Sequence, residues 1–256
     1  MKILVCIKQV PDTTDIKWTE HNTIQREGVE SIINPFDVYA IEEALKLKKT
    51  HDNVEITVLT MGPAQAEAIL RDAIAVGCDN AVLISDRKFA GADTIATAKT
   101  ISSAIKTKLS GFDLIICGQF AVDGDTAQTG PSIANDLNLP QVTYVKNIER
   151  YEEDYIIVKR ILDEGTEIVK AKLPALVCVL KGNEEPTRPL INGVIKSQNA
   201  NIPVYSMVDI GLVENEVGLK GSPTFVRKTF RMILSREHQM VSSVREVIEK
   251  IEEFTK

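Results

Sequence analysis

The sequence predicts an α/β protein: a doubly wound, mostly parallel sheet, with antiparallel strands added after it and a helical arm at the end. Three observations carry this. Short apolar runs alternate with helical segments up to Pro140, the pattern of a parallel sheet covered on both faces. After Pro140 strand follows strand without helices, which points to hairpins on a sheet edge. The final stretch carries an apolar stripe at helical spacing.

The elements follow in order. Ile3–Ile7 is a continuous apolar run and reads as the first strand. Residues 14 to 31 break the pattern, and Ile16-Lys17-Trp18 with Thr23-Ile24-Gln25 reads as a small hairpin in which Trp18 packs or meets a partner. Asn34-Pro35 opens a helix, with Asn34 as its N-cap and Pro35 where a missing N–H costs nothing. Phe36, Ala40, Ala44 and Leu47 share one face of that helix, and Glu42 with Lys46 is spaced for an exposed ion pair. Val54–Leu59 is a strand, Ala64–Val76 a helix closed by Gly77, and Asn80–Ile84 a strand. Asp93–Leu109 is a helix and Asp113–Cys117 an apolar strand.

Beyond Pro140, Gln141–Ile148, Tyr155–Leu162, Thr166–Lys172 and Ala175–Leu180 are strand-like, the first three separated by acidic turns. Residues 182 to 204 are polar with little periodicity, a long surface loop with one helical turn, and loops of that length tend to be functional. Val241, Val244, Val247, Ile248, Ile251 and Phe254 form the terminal stripe, which either packs back on its own domain or reaches a partner chain.

Composition narrows the function. With 36 acidic against 30 basic residues, the net charge of −6 argues against a nucleic-acid binder. No apolar run reaches the roughly 20 residues of a membrane span. Cys6, Cys78, Cys117 and Cys178 are scattered and read as reduced, buried residues of a cytoplasmic protein, with no metal site. No histidine or serine stands in a nucleophile–base pattern, so no catalytic residue is assigned.

Ligands of open parallel sheets bind beyond the carboxyl ends of the strands. Here those ends are Cys6–Val10, Thr60–Pro63, Ser85-Asp86 and Cys117-Gly118, with Asn34–Asp37 on the same rim. The most informative is Gly118-Gln119-Phe120-Ala121-Val122-Asp123-Gly124-Asp125-Thr126-Ala127-Gln128-Thr129-Gly130, running from a buried strand into a helix start. Its glycines permit close backbone approach, and Thr126 or Thr129 can offer a phosphate both N–H and hydroxyl. Asp123 and Asp125 would repel phosphate but suit helix capping or ribose hydroxyls. Neither Gly-x-x-x-x-Gly-Lys-Ser/Thr nor Gly-x-Gly-x-x-Gly is present, which argues against a P-loop enzyme or a standard Rossmann dehydrogenase. By local chemistry the segment is either a nucleotide site or a structural Gly/Asp turn.

At these residues the sequence resembles the beta subunit of electron-transfer flavoproteins. The likeness runs through Met1–Val10, Asn34–Asp37, Met61–Gln65, Gly118–Gly130, Leu173–Ala175 and Asn183–Pro186, and so spans nearly the whole chain. It implies an adenine-nucleotide-hydrolase-like α/β fold over residues 1–230 and a heterodimer with an alpha subunit, which the 231–256 arm would hold. It also implies a nucleotide site at Cys6, Asn34, Pro35, Phe36, Asp37, Met61 and Gly118 to Thr129. That site holds AMP in the ordinary type. In the electron-bifurcating type, which this chain resembles more closely, it holds FAD, which exchanges electrons with NAD(H).

Phe120 departs from the smaller residue of many members. The 183–197 loop, with Leu190 or Ile191 as its apolar anchor, would dock a partner dehydrogenase of the acyl-CoA or 2-hydroxy-acid type. Ferredoxin or flavodoxin would be the low-potential partner. Asp37 and the Cys6–Val10 rim would tune the flavin ring. A stand-alone nucleotide-sensing module is the reading from another class, and it would have no use for the loop and arm.

Overall fold

The computed structural model describes residues 1–12, 31–182, 184–227 and 240–254. The chain opens with β1 (Lys2–Cys6), β2 (Gln9–Pro11), β3 (Ser31–Ile33), α1 (Pro35–Thr50), β4 (Glu55–Met61), α2 (Glu67–Val76) and β5 (Asn80–Ile84). It continues through α3 (Thr94–Lys108), β6 (Leu114–Gly118), α4 (Thr129–Leu137), β7 (Gln141–Tyr151), β8 (Tyr155–Leu162), β9 (Gly165–Lys172) and β10 (Ala175–Val179). It ends with α5 (Ile191–Asn199), β11 (Val204–Tyr205), α6 (Gly218–Gly221) and α7 (Val244–Phe254).

One nine-stranded sheet runs in the order β11-β5-β4-β1-β6-β10-β7-β8-β9. The strands from β11 to β7 pair in parallel, while β7, β8 and β9 form an antiparallel meander at one edge. Because the strands are apolar at successive positions, each central strand feeds two cores. Val5, Ile116 and Val177 pack on the side of α1 and α2, with Ala40, Ala44, Ile69 and Ile74. Leu4, Ile115 and Leu176 pack on the other side, with Ala98, Ile101, Ile133 and Ala134 of α3 and α4. Helix ends follow ordinary rules: Gly77 closes α2 with φ 130°, and the Asp93 carboxylate accepts the N–H groups of Ile95 and Ala96 at 3.0 Å.

Three expectations are corrected. Ala175–Val179 is not an added edge strand: β10 returns inside the sheet, parallel to and between β6 and β7, and all five residues are buried. Within the polar 182–204 segment lies α5, a nine-residue helix rather than a single turn. Glu42 and Lys46 do not pair; Lys46 reaches Glu43 at 2.9 Å and Glu184 at 3.0 Å, while Glu42 is taken by Thr187.

The hairpin expected at Ile16–Trp18 and Thr23–Gln25, and the setting of Trp18, lie outside the described residues. The segments that flank it, β2 and β3, pair antiparallel, with Val10 opposite Ile32. The described stripe residues of the C-terminal helix, Val244, Val247, Ile248 and Ile251, are exposed. Among the described residues no helix is long and apolar enough to cross a membrane.

Candidate functional site

The order of the sheet reverses at β1, which pairs with β4 on one side and β6 on the other. The crevice beyond such a reversal is where open α/β sheets bind ligands. Three pieces of the chain converge there: the end of β1, the start of α1, and the loop that leaves β6.

Asp37, in the first turn of α1, ties two strand ends together. Its Oδ2 accepts the backbone N–H of Lys8 at 2.7 Å, and its Oδ1 accepts that of Gly118 at 3.2 Å. A Cβ on Gly118 would collide with that Oδ1 and lie 2.8 Å from the Phe36 carbonyl carbon, so only glycine fits. Burial pushes the Asp37 carboxyl up to about 7, against hydrogen bonds from Asn34, Lys8 and Gly118 and the Lys8 charge, which favour the carboxylate.

Asn34 occupies the expected N-cap position, but its side chain does not cap α1. Fully buried, it crosses to the loop instead: Nδ2 donates to the Phe120 carbonyl at 2.9 Å and Oδ1 accepts the Val122 N–H at 3.1 Å. The helix start is served by the Asn34 backbone carbonyl, which accepts from Asp37 and Val38. The Phe36 and Phe120 rings stand 4.1 Å apart and tilted by 42°, so Phe120 is seated against α1.

The loop is held along its length. Gln119 is buried, with its N–H on the Val179 carbonyl at 2.9 Å and its Oε1 accepting the Tyr144 N–H at 2.6 Å. The Ala121 carbonyl accepts from Gly124 and Asp125, making a tight turn. Asp123 meets the Lys8 ammonium at 2.5 Å, which offsets the carboxylate charge that would repel a phosphate. Asp125 and Ala127 are held at φ 53° and 54°, left-handed backbone that non-glycine residues adopt at a cost. Gln128 accepts from the Thr94 hydroxyl at 3.3 Å and precedes Thr129, the first residue of α4.

No side chain caps α4, in contrast to α3, whose first N–H groups are taken by Asp93. α4 therefore opens on the Thr129 and Gly130 N–H groups without a side-chain cap, beside Thr126, a pair suited to an anion. Gly130 in its first turn packs so closely that a Cβ would lie 2.5 Å from Cys178 Sγ.

Cys6, Cys117 and Cys178 stand in register across β1, β6 and β10. Its hydrogen bond with Cys6, together with burial, holds the Cys117 thiol well above the ordinary thiol range, so it stays protonated. Met61 ends the neighbouring strand, half-buried on the same core as Cys6. The structure therefore gathers Cys6, Asn34, Pro35, Phe36, Asp37, Met61 and residues 118–129 around one reversal point. Leu190 and Ile191 lie elsewhere, at the start of α5, which packs on α2.

Two residues, one at this crevice and one outside it, have roles that local pattern does not show. Lys8 lies on the Cys6–Val10 rim, but nothing local to it shows that its ammonium meets Asp123, 115 residues away. Glu42 reads only as a partner for Lys46, because Thr187, which it holds, lies 145 residues away.

Residues 21–209 match the family described as the electron transfer flavoprotein domain. The chain belongs to the electron transfer flavoprotein family, as a beta subunit. It is 45% identical over 237 residues to electron transfer flavoprotein subunit beta of Megasphaera elsdenii, covering 90% of this chain and 87% of that one. The subunit beta of Thermoanaerobacterium thermosaccharolyticum is 47% identical over 231 residues, with the same coverage. The caffeyl-CoA reductase-Etf complex subunit CarD of Acetobacterium woodii is 43% identical over 231 residues, again covering 90% and 87%.

Proposed function

We propose that this chain is the nucleotide-bearing subunit of a heterodimer with an electron transfer flavoprotein alpha subunit, and that its reversal-point crevice holds FAD. In this reading the complex exchanges electrons with NAD(H). It bifurcates them between a partner dehydrogenase, of acyl-CoA or 2-hydroxy-acid type, and ferredoxin or flavodoxin. The observation that carries the proposal is the single constellation formed by Asn34–Asp37, Lys8 and the loop from Gly118 to Thr129. Kinship with the subunit of a complex named for caffeyl-CoA reductase supports the dehydrogenase partner.

The residues fit a nucleotide. The uncapped start of α4, with Thr126 and Thr129, would receive its phosphates. Gly124, where an added Cβ would meet nothing within 4 Å, lets backbone approach it closely. When bound, FAD supplies two-electron exchange with a nicotinamide and one-electron exchange with other carriers. The chain's own residues hold and shield it. Asn34 fixes the loop, Phe36 and Phe120 form an apolar wall, and Cys6 and Met61 present uncharged side chains. Asp37 has both oxygens engaged by backbone, so it acts on a ligand through the strand ends it holds.

Leu190 and Ile191 are 76% and 81% exposed in a polar segment, as a transient docking anchor requires. The exposed stripe of α7 is the part of the 231–256 arm that would hold the alpha subunit, leaving 1–230 as the nucleotide-binding domain.

The test is to purify the heterodimer, denature it and identify the released cofactors. Two flavins per heterodimer, bleached by NADH in the intact complex, support the proposal. One flavin with AMP assigns the crevice to AMP and removes bifurcation. A chain that binds ATP without flavin or an alpha subunit overturns the reading.

A further inference from the structure

We infer that Glu42 is the positioning residue of the docking segment, an inference that rests on the docking role proposed for Leu190 and Ile191. Glu42 is half-buried in α1, the same helix that opens at the nucleotide crevice with Asn34–Asp37. Its Oε1 accepts the Thr187 backbone N–H at 2.7 Å and its Oε2 accepts the Thr187 hydroxyl at 2.8 Å. Both oxygens therefore hold one residue, three positions before Leu190.

The rest of the segment is pinned around this clamp. Upstream, the Tyr39 hydroxyl donates to the Glu184 carbonyl at 3.0 Å, and Gly182 lies so close to the Tyr39 ring that a Cβ would be 2.9 Å from it. Lys46 reaches the Glu184 carboxylate at 3.0 Å. Downstream, Gly193 lies against the Ala75 carbonyl where no Cβ fits. Arg71 donates to the Ser197 and Gln198 carbonyls, and Lys196 to that of Cys78 at 3.2 Å.

Between the two anchored legs the apex carries the exposed Leu190 and Ile191. Glu42 is the side chain that fixes the ascending leg closest to it. An apex already ordered loses less conformational freedom when it docks, so the clamp strengthens binding without touching the partner. Because the same helix bears the crevice residues, the apex is held in a fixed relation to the site it serves.

The experiment uses the heterodimer and an acyl-CoA dehydrogenase chosen because the wild-type complex reduces it, with a small soluble dye as an acceptor that needs no docking. In Glu42→Ala, alanine keeps the helix but loses both bonds. The expected result is a KM for the dehydrogenase raised at least about tenfold, with kcat and dye reduction unchanged and faster hydrogen exchange at the Thr187 amide.

Glu42→Gln recovers wild-type KM, because its carbonyl accepts the amide and its NH2 donates to the hydroxyl oxygen. Thr187→Val, which loses the hydroxyl bond alone, falls between the two and serves if Glu42→Ala does not fold. Wild-type KM and amide protection in Glu42→Ala overturn the inference, as does a Glu42→Gln variant as impaired as Glu42→Ala. If the wild-type complex reduces no dehydrogenase of either class, the docking reading itself falls, and this inference with it.

Discussion

Asp37 and Gly118 meet across the reversal point of the sheet, where the carboxylate accepts the glycine N–H at 3.2 Å in a space that no side chain at 118 could share. The contact joins the first turn of α1 to the end of β6, and through Lys8 to the end of β1. Gly118→Ala must push Asp37 and the Phe36 backbone aside. The expected cost is about 2–3 kcal/mol in denaturant unfolding, with loss of bound nucleotide from the purified heterodimer. An alanine variant as stable as wild type, with its nucleotide retained, contradicts the packing described.

The same carboxyl makes stability depend on pH in an unusual direction. Burial raises Asp37 to about 7 in the folded chain, whereas unfolded aspartate titrates near about 3.9. The folded state then binds the proton more tightly than the unfolded state. This contribution to stability is fully present below about pH 4 and is lost as pH rises through about 7. Asp37→Asn removes the titration. The stability difference between wild type and variant should change by up to about 4 kcal/mol between about pH 4 and about pH 8. Parallel pH curves for the two proteins count against the buried carboxyl as its source.

Asn34 tests the loop. Alanine there strips the Phe120 carbonyl and the Val122 N–H of their shared partner, at an expected cost of about 1–3 kcal/mol. Asn34→Asp keeps an acceptor for Val122 but sets an oxygen against the Phe120 carbonyl, so it should rescue little. Thermal unfolding and proteolysis within residues 118–128 report both effects.

Leu190 and Ile191 predict a clean separation of stability from function. Both stand in water, so Leu190→Ala with Ile191→Ala should leave stability within about 0.5 kcal/mol of wild type. Reduction of a dehydrogenase acceptor should fall steeply while reduction of a soluble dye holds. Equal loss with both acceptors would place the docking anchor elsewhere.

Much of this architecture is legible in the sequence because its causes are local. The buried runs of β1 and β6, the Gly77 stop of α2 and the Asp93 cap of α3 each rest on a few neighbouring residues. What is not legible depends on partners far along the chain. Asn34 has the sequence of a helix cap, and only the folded position of residues 120–122 diverts its side chain. Ala175–Val179 follows a hairpin and reads as its continuation, yet five successive apolar residues suit a strand covered on both faces, which β10 is. Helix α5 hides because Gly193 weakens its helical pattern, and that glycine is set by the close approach of the Ala75 carbonyl. Strand ends in the sequence point to the gathering of Asn34–Asp37 with Gly118–Thr129, but the bonds that join them appear only in three dimensions.

The most direct test of the central claim is calorimetric titration of the nucleotide-stripped heterodimer with FAD and with AMP, in wild type and in Asn34→Ala. The expected result is one site contributed by this chain, filled by FAD in preference to AMP and weakened at least about tenfold by Asn34→Ala. Unchanged affinity in the variant, or no nucleotide site beyond that of the alpha subunit, would contradict a cofactor crevice at the reversal point of this sheet.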